Sequence, residues 1–270
     1  MKAPRCRAWP SGSAASLWPT TGANSWEGAV RRGRQSAGKE SAKDWTCCPT
    51  VRDALHKSNS SAERLRAKMD QGFEMKIWMI SDLHLEYADL RQPLRIPDAD
   101  VCVVAGDLCR GPANGAYWLG KHVAHAMPCV YVAGNHEFYA GGIHEGLEDG
   151  RAAANHFEQV HFLENDSVII QGVRFIGATL WTDYKIEGSR ELAMLYARER
   201  MNDYKKIAAR RNPWQRFLPR DAYRMHQESR SYIEAALKFD SIKTVVVTHH
   251  LPHASSIPAR FKGDLLNAAY

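Results

Sequence analysis

KIWMISDLH, residues 76–84, contains four consecutive apolar residues typical of a buried strand and then a run that carries a carboxylate and an imidazole. Three further segments repeat this order of an apolar strand followed by a polar run. They are VCVVAGD (101–107), VYVAGNHE (130–137) and VVVTHHLPH (245–253). Because ligands of open α/β sheets collect outside the carboxyl ends of the strands, the four segments predict one shared site at one edge of a sheet.

A regular alternation of strands and helices begins at Met75 and predicts a layered α/β architecture with a partly parallel sheet. Two closely spaced strands joined at Gln171-Gly172 predict a hairpin, so the sheet is expected to be mixed. The predicted strands are 76–80, 101–105, 129–133, 160–163, 167–170, 173–178 and 243–248; the predicted helices are 113–126 and 145–157, followed by a charged helical region over 189–239.

The positive charge of the chain is confined to its beginning. Residues 1–74 hold 13 Lys and Arg against 7 Asp and Glu, whereas residues 75–270 hold 23 of each. The net charge of +6 is therefore a weak argument for nucleic-acid binding by the folded part. No apolar run approaches the ~18–20 residues that cross a bilayer, so no membrane span is expected. We expect a poorly structured or non-native leader over 1–74 and one domain over 75–270.

The six cysteines do not form a Cys-x-x-Cys pair, which argues against a zinc ribbon or a thioredoxin-like site. Cys102 and Cys129 fall inside predicted buried strands, where a thiol packs as a small apolar group. This usage fits a reducing compartment, and we expect a cytoplasmic protein.

The residue types in the four polar runs suit a metal centre. Asp82 and His84 are two positions apart, so both can face the same side just beyond a strand. Asp107 and Asn135 each follow a glycine, which allows the backbone to turn sharply. Carboxylate, amide and imidazole groups together favour Mn, Fe, Zn or Co over Ca or Mg. Two such ions roughly 3.5–4 Å apart can activate a shared water and clamp phosphoryl oxygens.

The runs, in this order, resemble the calcineurin-like metallophosphoesterase superfamily, whose motifs are Asp-x-His, Gly-Asp, Gly-Asn-His-Asp/Glu, a His and Gly-His-x-His. The resemblance covers residues 75–270 and implies a calcineurin-like layered fold with mixed β-sheets flanked by helices. It also implies metal-dependent hydrolysis of a phosphomonoester or phosphodiester, with a small phosphate ester as substrate and manganese among the candidate ions. The implied roles are Asp82 and His84 on the first metal, Asp107 bridging, Asn135 and His250 on the second metal, and His136 as acid or transition-state stabiliser.

Five further residues are candidates for supporting the ligands or contacting the substrate: Glu137, His249, His253, Arg198 and Arg200. His250 is favoured over His249 as the ligand because the family histidine is typically followed by one residue and then a proline. The two arginines belong to a basic insert over about 185–220, which is expected to be helical. The insert could steer a phosphate group, or it could be an ordinary solvated helical face.

The sequence departs from the family at its last motif, because no Gly-His-x-His occurs in the chain. In the family this motif adds one ligand to each metal. We therefore expect a domain truncated at its C-terminus, and a second interpretation stays open. In that interpretation the chain is a non-catalytic or weakly metal-binding remnant of such an enzyme.

Overall fold

The computed structural model describes residues 74–90, 92, 94–186, 188–261 and 263–269. The predicted leader, residues 1–74, lies outside the described residues apart from Glu74. The described part contains a four-stranded sheet, a three-stranded sheet, a two-stranded hairpin and the helices that flank them. The predicted mixed-sheet α/β class is confirmed.

The first sheet is wholly parallel, in the order β1-β2-β3-β4. Its strands are β1 (Ile77–Ile80), β2 (Val101–Ala105), β3 (Cys129–Val132) and β4 (Val160–Phe162), and its crossover helices are α1 (Pro112–His122) and α2 (Ile143–Ala154). The central strands β2 and β3 are buried on both faces, which explains their uninterrupted apolar sequences. Because all four strands run the same way, the loops after β1, β2 and β3 meet at one edge.

The second sheet is mixed, in the order β5-β6-β9, with β5 antiparallel and β9 parallel to β6. Its strands are β5 (Asp166–Ile170), β6 (Val173–Ala178) and β9 (Thr244–Thr248). Gln171 and Gly172 both have positive φ, 48° and 81°, as a two-residue hairpin turn requires, so the predicted hairpin is confirmed.

The two sheets pack face to face through alternate residues of β2 and β3 on one side and through residues of β6 and β9 on the other. Val103 and Val130 of the first sheet belong to the same buried cluster as Phe175 and Val247 of the second. The intervening residues of β2 and β3, such as Tyr131, point to the opposite face and join the cluster that contains α1. This packing brings the end of β9, and the histidines that follow it, to the edge where the first sheet gathers its loops.

The insert between the last two strands of the second sheet is only partly helical, so the prediction of a helical insert over 185–220 is wrong in its middle. It consists of α3 (Arg190–Arg200), α4 (Asp203–Lys206), an antiparallel hairpin of β7 (Ala208–Arg211) and β8 (Trp214–Arg216), and the start of α5 (Pro219–Phe239). Pro213 at the hairpin tip has no backbone N–H to continue a helix. The amides of Arg211 and Asn212 instead donate to Glu145 on α2, at 2.9 and 3.2 Å.

Short 3₁₀ helices at His136–Phe138, Ala254–Ser256, Ala259–Phe261 and Leu265–Ala269 complete the described chain. Among the helices of this part, none is both long and apolar enough to cross a membrane. Cys102 and Cys129 are buried in β2 and β3, as predicted.

Candidate metal centre

The backbone leaves its usual conformation where β1 and β2 end. Asp82, His84 and Asp107 have φ values of 54°, 48° and 54°, a region that residues other than glycine rarely occupy. The amide of Asp82 donates to the Gly106 carbonyl at 3.1 Å, and the amide of His84 donates to the Asp107 carbonyl at 2.9 Å. These bonds interlock the two loops. Such conformations persist where the surroundings over-determine them, and they cluster at functional sites.

Asp107 is only 4% exposed. Its carboxylate lies at the centre of a cluster of side chains that also contains Asp82, His84, Asn135, His136 and His249. Its Oδ2 lies 3.6 Å from Nε2 of His84, whereas its Oδ1 lies 3.5 Å from Nε2 of His249. Oδ1 of Asp82 lies 3.9 Å from the same His84 nitrogen. The two oxygens of one carboxylate therefore face histidines that come from two different sheets.

His249 presents its Nε2 to this cluster because its other ring nitrogen is engaged. Nδ1 lies 2.8 Å from the carbonyl of Ala105 and donates to it as N–H, which leaves a lone pair on Nε2. Nε2 lies 3.2 Å from Oδ1 of Asn135. The lone pair of His249 and the oxygens of Asn135 and Asp107 are all acceptors, and acceptors that converge in this way are stabilised by a cation.

Glycine makes the close approach of these groups possible. A Cβ on Gly134 would come within 2.7 Å of Cε1 of His249 and would also collide with the Asp107 carboxylate. A Cβ on Gly106 would collide with the His249 ring. Only glycine, which has no Cβ, therefore leaves room for Asp107 and His249 at the positions before Asp107 and Asn135. The donor atoms gathered there fit a divalent metal.

The neighbouring His250, the predicted ligand, lies elsewhere. Its Nδ1 is 3.1 Å from the carbonyl of Thr179, and its ring lies 5.0 Å from the ring of Trp181. Burial, together with the adjacent His249, lowers the pKa of His250 to about 3, so the ring is neutral. The structure thus brings His249 to Asp107 and places His250 in an apolar setting. Successive residues after a strand point to opposite sides. The prediction based on the position of the following proline selected His250, whose side chain faces the interior, and not His249.

His136 faces the same cluster. One of its ring nitrogens lies within 4.8 Å of ligand atoms of His84 and Asp107, and the three residues form a candidate metal-binding group. Its ring meets that of His84 edge-on at 4.4 Å and stacks on Tyr139 at 4.2 Å. Its backbone amide donates to Oδ1 of Asp107 at 2.9 Å. His136 is therefore fixed in place on three sides.

Glu86 was not singled out from the sequence, yet its carboxylate contacts two of the histidines. Oε1 lies 2.8 Å from Nδ1 of His136 and 3.3 Å from Nδ1 of His84. Burial raises the pKa of Glu86, but the hydrogen bonds with His136, with its own backbone and with His84 outweigh that effect, so the net pKa shift is downward. The ionised carboxylate holds both Nδ1–H groups and leaves each Nε2 to the site. The only sequence signal was its position two residues after His84.

The side chain of Glu137 does not face the cluster but joins the loops that follow β2 and β3. Its carboxylate accepts hydrogen bonds from the amides of Asp107 (3.0 Å), Leu108 (2.8 Å) and Gly134 (2.8 Å), and from the hydroxyl of Tyr131 (3.0 Å). Burial and the nearby charge of Asp107 raise the pKa of Glu137 to about 7. Glu137, predicted to support the ligands, therefore stabilises the backbone of these loops, and none of its described hydrogen bonds is to the side chain of a proposed ligand.

Asp203, in the insert, is a second residue that sequence analysis missed. Its Oδ1 accepts a hydrogen bond from Nδ2 of Asn135 at 2.8 Å and another from the hydroxyl of Tyr139 at 2.7 Å. Burial raises the pKa of Asp203, and these two hydrogen bonds oppose that shift. An acidic residue within a basic stretch was the only hint, since 68 positions separate it from Asn135.

The remaining candidates lie outside this cluster. Arg198 and Arg200 are exposed on the last turn of α3, and the guanidinium of Arg200 lies 5.1 Å from the ring of Tyr196. His253 is exposed and accepts a hydrogen bond from the amide of Ser255 at 3.1 Å. It lines a groove of about 520 Å³ between β9 and α5.

Comparison with known proteins agrees with this geometry. The family model described as calcineurin-like phosphoesterase matches residues 75–268. An uncharacterized protein of Acanthamoeba polyphaga mimivirus is 26% identical in an alignment of 199 positions. The alignment covers 64% of this chain and 66% of that protein, just under two thirds of its length. The crystal structure of a phosphopantetheinyl hydrolase from Mycobacterium tuberculosis shares the fold, with a TM-score of 0.55 and 20% identity over 73% of this chain and 76% of that one. Because the family model covers most of its length, the chain belongs to the calcineurin-like phosphoesterase family.

Proposed function

We propose that the chain hydrolyses a small phosphomonoester or phosphodiester at a dinuclear metal centre. The observation that carries this proposal is the carboxylate of Asp107, whose two oxygens face separate groups of donors. Oδ2 faces His84, which lies beside Asp82, and Oδ1 faces His249, which lies beside Asn135. A carboxylate in this position can bridge two ions, and the mixture of oxygen and nitrogen donors favours Mn, Fe, Zn or Co.

The spacing within each group fits a shared ion. Two ligands that each lie about 2.1 Å from one tetrahedral ion are roughly 3.4 Å apart. The nitrogen–oxygen distances from Asp107 to His84 and to His249 are 3.6 and 3.5 Å. Both are too long for a good hydrogen bond and close to that value.

In the proposed mechanism the two donor groups around Asp107 would hold two divalent ions, which would supply a polarised water and neutralise charge on the phosphoryl oxygens. His136, in its doubly protonated form, protonates the leaving oxygen through its Nε2–H, while its Nδ1–H stays on the Glu86 carboxylate at 2.8 Å. Stacking on Tyr139 and the amide bond to Asp107 keep the imidazole at the edge of the cluster. The substrate phosphate would then lie between Asp107 and His136.

We also propose that the chemistry belongs to residues 75–270 and that the leader, 1–74, takes no part in it. All ligands named above lie between Asp82 and His249. The three cysteines among the described residues are free thiols, which agrees with a reducing, cytoplasmic location.

Metal analysis and turnover test the proposal together. Purified protein loaded with Mn²⁺ should hold about two ions and hydrolyse p-nitrophenyl phosphate or its bis ester. His136→Ala should keep both ions and lose roughly 100-fold in turnover, as expected for removal of a general acid. A variant that loses an ion instead would make His136 a ligand, which its position within the candidate group of three also permits.

The alternative is a weakly metal-binding protein without turnover. It is favoured by one observation: among the described residues, three protein donors face each proposed ion. Fewer than one bound ion per chain, together with no hydrolysis of either nitrophenyl ester, would support this alternative and contradict the enzyme.

The adjacent histidines provide a matched pair of variants for the ligand assignment. His249→Ala should remove at least one of the two ions, because it deletes a donor that faces Asp107 and Asn135. His250→Ala should keep both ions but lower the free energy of unfolding by about 2–4 kcal/mol, because it opens a cavity beside Trp181 and removes the side-chain hydrogen bond to the Thr179 carbonyl.

Metal content and urea unfolding of the two variants separate these effects. Loss of an ion only in His250→Ala would reverse the assignment and restore the ligand predicted from the sequence.

A further inference from the structure

We propose that Asp203 is a positioning residue that turns the side-chain amide of Asn135 so that its oxygen faces the metal centre. The inference rests on the proposed metal centre and extends it to the insert, where Asp203 begins the short helix α4. It assigns to the insert a part in metal binding that the strand-end motifs do not contain.

The first step of the argument is the orientation of the amide. Oxygen and nitrogen exchange places when an asparagine side chain flips, so a ligand asparagine needs a partner that accepts only one of the two orientations. Oδ1 of Asp203 accepts from Nδ2 of Asn135 at 2.8 Å, and a carboxylate has no proton to give to the opposite orientation. Oδ1 of Asn135 consequently lies on the other side, 3.2 Å from Nε2 of His249.

The second step is the rigidity of the partner. Asp203 is 2% exposed, and the same Oδ1 also accepts from the hydroxyl of Tyr139 at 2.7 Å. Behind it, the amide of Ala140 donates to the carbonyl of Lys206 at 2.9 Å, and the Lys206 ammonium lies 5.0 Å from the Tyr139 ring centroid. The insert is therefore fastened to the segment that follows Asn135, and the carboxylate cannot easily move away.

The third step is the size of the effect. Groups that orient metal ligands typically contribute 10–100-fold in metal affinity. Asn135 belongs to only one of the two groups of donors. The loss of Asp203 should therefore weaken one site and leave the site of Asp82 and His84 largely unchanged.

The test compares Asp203→Leu with Asp203→Asn in the full chain. Leucine has a similar volume but no acceptor. Asparagine keeps an oxygen that can accept from the Asn135 amide, and the Tyr139 hydroxyl, which donates to the same place, favours that orientation of the new side chain. We expect Asp203→Leu to weaken Mn²⁺ binding at one site about 10–100-fold and Asp203→Asn to stay within about threefold of wild type. Calorimetric titration with Mn²⁺ measures the two affinities. Electron paramagnetic resonance should show a paired-ion signal in wild type and in Asp203→Asn, and an isolated-ion signal in Asp203→Leu.

A double variant identifies the route of the effect. Asn135→Ala should lose the same site, and adding Asp203→Leu to it should change the affinity little further, since the two residues act as one unit. If Asp203→Leu does not fold, Asp203→Ala takes its place, because it removes the acceptor without adding bulk.

Equal weakening by Asp203→Leu and Asp203→Asn, or wild-type affinity in Asp203→Leu, would overturn the positioning role while leaving the metal centre intact. Failure of the wild-type protein to bind two ions would instead overturn the proposed function, and the inference with it. The two failures are therefore distinguishable in the same titration.

Discussion

Asp107→Ala should abolish the binding of at least one metal ion and lower Mn²⁺-dependent hydrolysis of p-nitrophenyl phosphate by more than about a thousandfold. Among the residues that the structure describes, Asp107 is the one whose two carboxylate oxygens face both groups of donors, at 3.6 Å from His84 and 3.5 Å from His249. Its removal takes a ligand from each proposed ion and leaves the two histidines facing an empty space. Metal content and turnover of the purified variant measure the effect.

Two companion variants define its cause. Asp107→Asn keeps an oxygen to accept the amide of His136 but loses the negative charge, so we expect a folded protein with fewer than two ions. Asp149→Ala, which removes an exposed carboxylate from α2, should keep wild-type metal content and activity. Normal metal content in Asp107→Ala would contradict the bridging role and would leave the dinuclear centre without its main support.

The strands could be predicted from the sequence because their apolar character is local. β2 and β3 are buried on both faces and so consist of unbroken apolar runs, and the Gln171-Gly172 turn carries its own signal. The hairpin of β7 and β8 has no such pattern. Its tip is held by Glu145, a contact 66 positions away in the chain, and local propensity contains no information about such a contact.

The candidate site also contains residues that local sequence patterns predict and residues that depend on distant contacts. That the side chains after β1, β2 and β3 lie close together could be predicted from the rule that parallel strands gather ligands at one edge. The choice between His249 and His250 did not, because it depends on the direction of the backbone after β9, where the amide of His250 donates to the Thr179 carbonyl at 3.2 Å. Glu86 and Asp203 were missed because their partners, His136 and Asn135, lie 50 and 68 positions away.

The second large effect concerns stability. Glu137→Ala should lower the free energy of unfolding by about 3–5 kcal/mol, since it leaves the buried donors of Asp107, Leu108, Gly134 and Tyr131 without their acceptor. The cost of burying the carboxylate, seen in its raised pKa of about 7, offsets part of this loss and is included in that range. Because domains are stable by only about 5–15 kcal/mol, urea unfolding should show a large shift of the midpoint.

Glu137→Gln separates the loss of the acceptor from the loss of volume. Glutamine fills the same space, but its NH₂ group would face backbone N–H groups that need an acceptor, so we expect it to be destabilising by about 1–3 kcal/mol. Glu158→Ala, at an exposed position after α2, should stay within about 0.5 kcal/mol of wild type. If Glu137→Gln were as stable as wild type, the cavity alone would explain the alanine variant, and the carboxylate would not be what joins the loops of β2 and β3. If both Glu137 variants are destabilised as expected, the glutamate of the Gly-Asn-His-Glu run stabilises the loops of the proposed metal centre by accepting from the backbone amides of Asp107 and Gly134.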